Sequence, residues 1–342
     1  MTVRIGHLVV GEQRHGVVRF AEGVLSGLPA GGTVVRACTV ADLTAEPEWA
    51  APLAGAALVH LHYTDRLFGA HCVESARTFT DIADHLRHRI GTPSSVTLHD
   101  LPQPGDGAAR YRRRAACYRS VVEAASGVVV CSEHEAALLN GLGAAPRPRA
   151  VIPLPIDHPP GPAPQRRGDG QVTVLGFLHP GKGHAGALQA MHGLPPAVGM
   201  VALGRCADGH GHLEPELAAA ARASGRTLQI TGFVDGAELP GRLHRAGVPL
   251  APNEVVSASA SISTWLTAGR RPLVPAGSYT REVEHRCPGA LWTYRPGELP
   301  HALARALAEP GLTWLDPAVR LGPSTPAVSV AYARALARFA GG

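Results

Sequence analysis

The 342 residues are 45% hydrophobic, 17% charged and 5% aromatic, with a formal net charge of +5. That length suggests two domains of ordinary size, and that composition excludes a disordered chain. Forty Gly and 30 Pro occur without a G-x-y period, which excludes collagen, and no apolar run approaches the roughly 18 residues of a membrane span. In chain order, residues 3–10 read as a strand, 15–28 as a helix, 33–39 and 57–61 as strands, and 72–89 as a helix. Strand 95–98, helix 110–125, strand 127–131 and helix 132–140 follow, the last opened by Ser132 as N-cap with Glu133 and Glu135 in its first turn. The stretch 151–170 is Pro-rich and aperiodic, which reads as a linker.

The alternation then restarts with strand 172–177, helix 185–191, strand 199–203, helix 215–223 and strand 227–231. Helix 239–246, strand 248–251, helix 259–268 and strand 272–275 come next, and helix 327–339 closes the chain. Strands alternating with helices predict parallel sheets covered on both faces. The fold class expected is therefore α/β, with two doubly wound Rossmann-like domains facing a central cleft. The domains are expected at 1–157 and 171–324, joined by a Pro-rich linker over 158–170, with a C-terminal helix in 325–342 crossing back to the first domain.

Six scattered cysteines contain no C-x-x-C pair. This predicts small buried thiols in a reducing cytoplasm, no zinc, and no secretory signal. The basic balance is spread along the chain without interleaved aromatics, so the expected partner is an anionic small molecule and not nucleic acid. No integral membrane segment is expected. There is no G-x-G-x-x-G after the first strand, and no G-x-x-x-x-G-K-[ST], H-E-x-x-H or G-x-S-x-G motif, which disfavours NAD enzymes, P-loop NTPases, zincins and α/β-hydrolases. A D-x-D pair is also missing, which argues against gripping a diphosphate through a divalent metal.

Two segments point to an anion. Residues 176–183, Gly-Phe-Leu-His-Pro-Gly-Lys-Gly, follow the first strand of the second half; glycines let backbone approach a ligand and Lys182 supplies a point charge. Residues 257–263, Ser-Ala-Ser-Ala-Ser-Ile-Ser, open a helix, where free amides and the helix dipole favour negative charge. Arg110, Arg112, Arg113 and Arg114 read as a solvated basic helix face.

With these segments in place, the second half resembles the donor-binding domain of retaining glycosyltransferases of the two-Rossmann-domain (GT-B) architecture, in the family 4 group of mannosyltransferase- and glycogen-synthase-like enzymes. The matching pieces are Pro180-Gly-Lys-Gly183, Leu203-Gly-Arg205, Ile230-Thr-Gly-Phe-Val-Asp235 with Glu238-Leu239, Ala251-Pro252, and Ala268-Gly-Arg-Arg-Pro-Leu-Val274. In the first half they are His60-Leu-His-Tyr63, Thr97-Leu-His-Asp-Leu-Pro102 and Val129-Val-Cys-Ser132.

The resemblance implies a metal-independent hexosyltransferase using a GDP- or UDP-linked sugar, without other cofactor, on a small saccharide, metabolite or natural-product acceptor. It implies His99 and Lys182 as catalytic residues. The donor would meet Lys182, Arg205, Gly232, Phe233, Val234, Glu254, Ala258, Ser259, Ala260, Ser261 and Thr264. The acceptor side would comprise Gly11, His15, Gly16, His62, Asp65 and Asp100. Two departures stand out: the family's E-x(7)-E pair falls on Val256 and Thr264, and its Arg five residues before the Lys is Phe177, leaving Arg205, Arg270 or His179 as replacement cations. An epimerase on the same scaffold, using His99, Asp100 or Asp208, and a silent binding subunit remain open.

Overall fold

A computed structural model describes residues 3–28, 32–46, 48–159, 168–253 and 255–341. The chain divides into two compact units, Met1–Pro155 with Thr325–Gly342, and Ile156–Ser324.

The first unit holds β1 (Ile5–Val10), α1 (Gly16–Ser26), β2 (Thr33–Ala37), α2 (Val40–Ala45), β3 (Leu58–Tyr63) and α3 (Cys72–Ile90). It continues with β4 (Ser94–Leu98), α4 (Ala108–Ala124), β5 (Val128–Val130), α5 (Glu133–Gly141) and β6 (Arg149–Val151). The strands are all parallel, in the order β2-β1-β3-β4-β5-β6. The direction of winding therefore reverses between β1 and β3, where open α/β sheets bind ligands at the carboxyl ends of their strands.

The second unit holds β7 (Val172–Leu175), α6 (His184–Ala190), β8 (Met200–Leu203), α7 (Leu213–Ala223), β9 (Leu228–Ile230) and α8 (Leu239–Arg245). Then come β10 (Val248–Leu250), α9 (Ala260–Thr267), β11 (Leu273–Pro275), α10 (Ser278–Arg286), β12 (Trp292–Tyr294) and α11 (Leu299–Ala308). The order β12-β11-β10-β7-β8-β9 is again parallel throughout and reverses between β7 and β10. The last helix, α12 (Thr325–Ala340), belongs to the first unit.

Every residue of β3 is buried, and its alternation sorts two environments. Val59, Leu61 and Tyr63 enter the main core with Phe79 and Leu86 of α3 and Tyr118 and Val121 of α4. Leu58 packs instead with α12, whose buried Val328, Tyr332, Ala335, Leu336 and Phe339 recur at helical spacing. Ser329 Oγ donates to the Val24 carbonyl at 2.9 Å and ties α12 to α1. Close approach also needs Gly127: a Cβ there would lie 2.5 Å from the Phe339 ring.

The expected elements are all present, with ends shifted by no more than two residues. The sequence reading passed over α2, β6, α10, β12 and α11. The two strands are three residues long, β6 at a sheet edge among prolines, and α10 buries only Tyr279, Thr280 and Val283 in a polar sequence. The linker reading fails at its start: Val151 pairs with β5, and Ile152, Leu154 and Ile156 are buried. Residues 160–167 lie outside the described residues. Among the described residues no helix is long and apolar enough to cross a membrane.

The Gly127 contact sets an expected stability effect. Gly127→Ala should lower unfolding free energy by about 1–3 kcal/mol, the range for overpacking. In a Phe339→Ala background the same change should cost less than half as much in urea titrations; equal costs in both backgrounds would refute this packing.

Candidate functional site

In the second unit, the loop after β7 and the start of α9 after β10 meet at the reversal point of the sheet. Lys182 is the only lysine of the chain. It is 6% exposed, and its Nζ donates to Ser261 Oγ at 3.1 Å. Ser261 Oγ in turn lies 3.1 Å from Ser259 Oγ, which caps α9 by accepting from the Ile262 amide. No carboxylate among the described residues pairs with the ammonium. Burial accordingly pushes the Lys182 pKa down to about 8.

Two glycines make this geometry possible. Gly176 has φ +114°, and a Cβ there would sit 3.0 Å from Lys182 Nζ, so the ammonium rests against bare backbone. At Gly183, φ is +88° and a Cβ would strike the Pro252 carbonyl at 2.7 Å, so the loop after β7 presses on the loop after β10. Two buried polar atoms without partners lie here, Nε2 of His184 at the start of α6 and Oδ1 of Asn253 in the loop after β10. Neither residue was singled out from sequence; the polar residue flanking each glycine or proline contact was the available signal. Burial, Lys182 and His179 together hold His184 down to about 4.

Around this centre, Arg205 stacks over the Phe177 ring at 5.0 Å and donates from Nη1 to Asp208 Oδ1 at 2.6 Å. The cation thus lies over the very side chain that replaces the expected Arg. Arg270, the other arginine proposed for that role, is fully buried; its guanidinium donates to the carbonyls of Leu243, Ala246, Gly247 and Thr313. That corrects the reading of Arg270 as an anion ligand: it closes the end of α8. Ala258 is half-buried and Ala260 exposed beside the α9 cap, while Thr264 Oγ1 donates to the Ala260 carbonyl within the helix. Gly232 has φ +70°, Phe233 is exposed, and Val234 packs on the cluster containing Leu203 and Trp265. Glu254 lies outside the described residues.

In the first unit, His99 directly follows β4, and its Nε2 lies 3.2 Å from Nδ1 of the buried His62 on β3. His99 is pushed down to about 3, chiefly by burial with a contribution from His15, and burial also lowers His62. His15 caps α1, its Nδ1 accepting from the Val17 amide at 3.2 Å. Gly16 starts that helix, and Gly11, with φ +126°, turns the chain out of β1 against Leu67 and Val18.

The turn after His99 is held from beneath. Arg114 donates to Asp65 Oδ2 at 3.0 Å, Asp106 Oδ2 at 2.7 Å and Asp100 Oδ2 at 3.1 Å. Its Nη2 also donates to the Asp100 carbonyl at 2.6 Å, and Tyr118 donates to the His99 carbonyl at 2.8 Å. These contacts stabilise the left-handed φ of +54° at Asp100. Arg114 is therefore no part of a solvated basic face, although Arg110, Arg112 and Arg113 are exposed. Helical spacing turns residue 114 inward, where three carboxylates meet it. Asp65 is committed to this arginine, while the Asp100 side chain remains largely exposed.

Among the described residues no three His, Cys, Asp or Glu side chains group so as to hold a metal ion.

With this geometry in hand, residues 3–155 match the glycosyl transferase 4-like domain family. No curated protein matches the chain in sequence. Among solved structures, Anabaena Alr3699/HepE in complex with UDP-glucose superposes with a TM-score of 0.67 at 17% identity, covering 98% of this chain and 95% of that one. Sucrose-phosphate synthase from Thermosynechococcus elongatus gives 0.65 at 15% identity, covering 98% and 96%. The lipopolysaccharide outer core galactosyltransferase WaaB gives 0.58 at 10% identity, covering 98% and 99%. The match to the glycosyl transferase 4-like domain thus spans the first unit, and the whole chain shares the two-domain fold of these structures.

Proposed function

We propose that the protein transfers a hexosyl group from a UDP-linked sugar to a hydroxyl of a small acceptor (a saccharide, metabolite or natural-product scaffold), with retention and without a metal ion, in a reducing cytoplasm. The observation that carries this reading is Lys182, a buried ammonium without a carboxylate partner, beside the start of α9. An ammonium taken out of water without a counter-ion costs several kcal/mol, which a bound diphosphate offsets. UDP as the base-bearing half draws support from similarly folded proteins solved with UDP or UDP-glucose.

In the reaction the bond between the sugar C1 and the diphosphate oxygen breaks, and C1 bonds to the acceptor oxygen. The acceptor proton passes to the departing diphosphate oxygen on the same face. Negative charge grows on the diphosphate as that bond lengthens, so Lys182, the α9 amides and Arg205 bind the transition state more strongly than the ground state. No protein nucleophile is needed, consistent with Val256 and Thr264 at the positions of the family's carboxylates. His99, neutral near pH 7, hydrogen-bonds a hydroxyl of the transferred sugar. The free cysteines Cys72, Cys117, Cys131 and Cys287 are buried, in keeping with a reducing compartment.

Incubation with UDP- and GDP-hexoses and an acceptor panel should give acceptor-dependent release of UDP. Lys182→Met should lower turnover about 100-fold or more, the scale for losing one preorganised charge; unchanged turnover would count against the assignment. Arg205→Ala should weaken UDP-hexose binding about 10-fold, as for loss of one charge-assisted contact, with calorimetry as the readout.

The ammonium also sets a pH dependence. Binding requires its protonated form, which the free protein loses as pH rises through about 8. Affinity for UDP-glucose should therefore fall about tenfold between pH 7 and pH 9. A Lys182→Arg variant, charged throughout, should show a flat profile over that range; a wild-type profile that is equally flat would contradict the role given to the ammonium.

A further inference from the structure

The imidazole of His62 has two ring neighbours inclined only slightly to its own plane. The His99 ring meets it edge to edge through the Nδ1···Nε2 contact, with centroids 5.5 Å apart and planes inclined by 21°, and the Tyr332 ring of α12 lies at 6.0 Å and 26°. Phe20 of α1 meets all three rings edge-on, at 5.5 Å from His99, 5.6 Å from His62 and 6.1 Å from Tyr332. The tyrosine itself is fixed, because its hydroxyl lies 3.0 Å from Thr97 Oγ1, which also bonds His60 Nε2 at 2.9 Å. His60 spends its other nitrogen on Ser95 Oγ at 2.9 Å. Tyr332 and His60, both neighbours of His62, are thereby held by contacts of their own.

We propose that His62 is a positioning residue for His99: their N–H···N bond locks the His99 ring in one tautomer and one orientation. Two neutral imidazoles share that bond with one donor and one acceptor, so whichever nitrogen of His99 faces His62 has its role decided. The other nitrogen then presents a single fixed character, donor or acceptor, to whatever hydroxyl it meets. The proposal rests on the reading that His99 touches the sugar during transfer. It assigns His62, buried behind His99, a role distinct from acceptor binding, and it makes α12 part of the catalytic apparatus through Tyr332. Orienting partners of functional histidines act in this way in other sites.

Two substitutions separate the bond from the packing. His62→Phe keeps an aromatic ring beside Phe20 and Tyr332 and removes the bond. His62→Asn loses the ring but places an amide close to the position of Nδ1, able to donate or accept. With 15N-histidine-labelled full-length protein, the His99 resonances, identified by their loss in His99→Ala, should report one tautomer in the wild type and in His62→Asn. Both tautomers should appear in His62→Phe. The wild type should also show a through-bond 15N–15N coupling between the two rings, a readout that needs no variant to fold. Absence of that coupling, or an unchanged single tautomer in His62→Phe, overturns the proposal.

Release of UDP from UDP-glucose, with water as the acceptor, adds a kinetic arm. His62→Phe should lower kcat about 10- to 100-fold, the scale for removing a partner that orients a functional histidine, with KM for UDP-glucose little changed. His62→Asn should recover most of the loss. If His99→Ala leaves this rate untouched, the role of His99 in transfer falls, while the tautomer result still judges His62 separately.

Discussion

The arrangement of the second unit depends on one unfavourable act, the burial of a lone ammonium. Of the 32 lysine and arginine side chains all but one are arginine, and the single lysine is where the sheet reverses. A guanidinium carries its charge on a broad planar fork, whereas an ammonium is compact and fits against the bare backbone of Gly176. Ser261 and Ser259 hold it in place without neutralising it. The result is a cation with a depressed pKa, preorganised for an anion that the protein itself does not supply.

That burial explains why the sequence announced the second unit's centre more clearly than its surroundings. Gly-Lys-Gly after a strand and a serine-rich helix start are local patterns, and each carries its own physical meaning. Arg114 and Arg270 carry none locally. Arg114 sits in a run that reads as solvated and Arg270 reads as a replacement cation for the anion site, and only the inward turn of α4, or the approach of the α8 carbonyls, decides otherwise. Arg205 is a third case, since the cation absent at residue 177 is regained from the end of a neighbouring strand, over the aromatic ring that replaced it. Short edge strands such as β6 and β12 escaped for a related reason: three residues are too few to show a period, and their pairing is set by the sheet.

Buried arginines also clarify what the net positive charge does not mean. Arg226 donates to four carbonyls, those of Met191, Leu194, Pro195 and Val198, and Arg270 likewise uses carbonyls rather than carboxylates. Such cations satisfy helix ends and loops that would otherwise leave acceptors unpaired. They add to the formal charge without adding a surface that attracts anions. In the proposed site the electrostatic contribution is that of Lys182 and Arg205, and counting basic residues along the chain cannot find it.

The two units differ in how they treat charge, and the difference suits the proposed chemistry. A departing diphosphate accumulates negative charge, so the unit that binds it offers a cation and a helix start. The sugar carbon, by contrast, gains positive character as its bond to the leaving group lengthens, as in glycoside hydrolysis. An ordinary histidine, about a quarter protonated at pH 7, would oppose that charge for part of the time. Burial beside Phe20 and His62 keeps His99 neutral, so in the proposed reaction it would hydrogen-bond a sugar hydroxyl without repelling the developing cation. The same packing that removes the proton also holds the ring, through Phe20 of α1 and His62 of β3, with Tyr332 of the C-terminal helix behind His62.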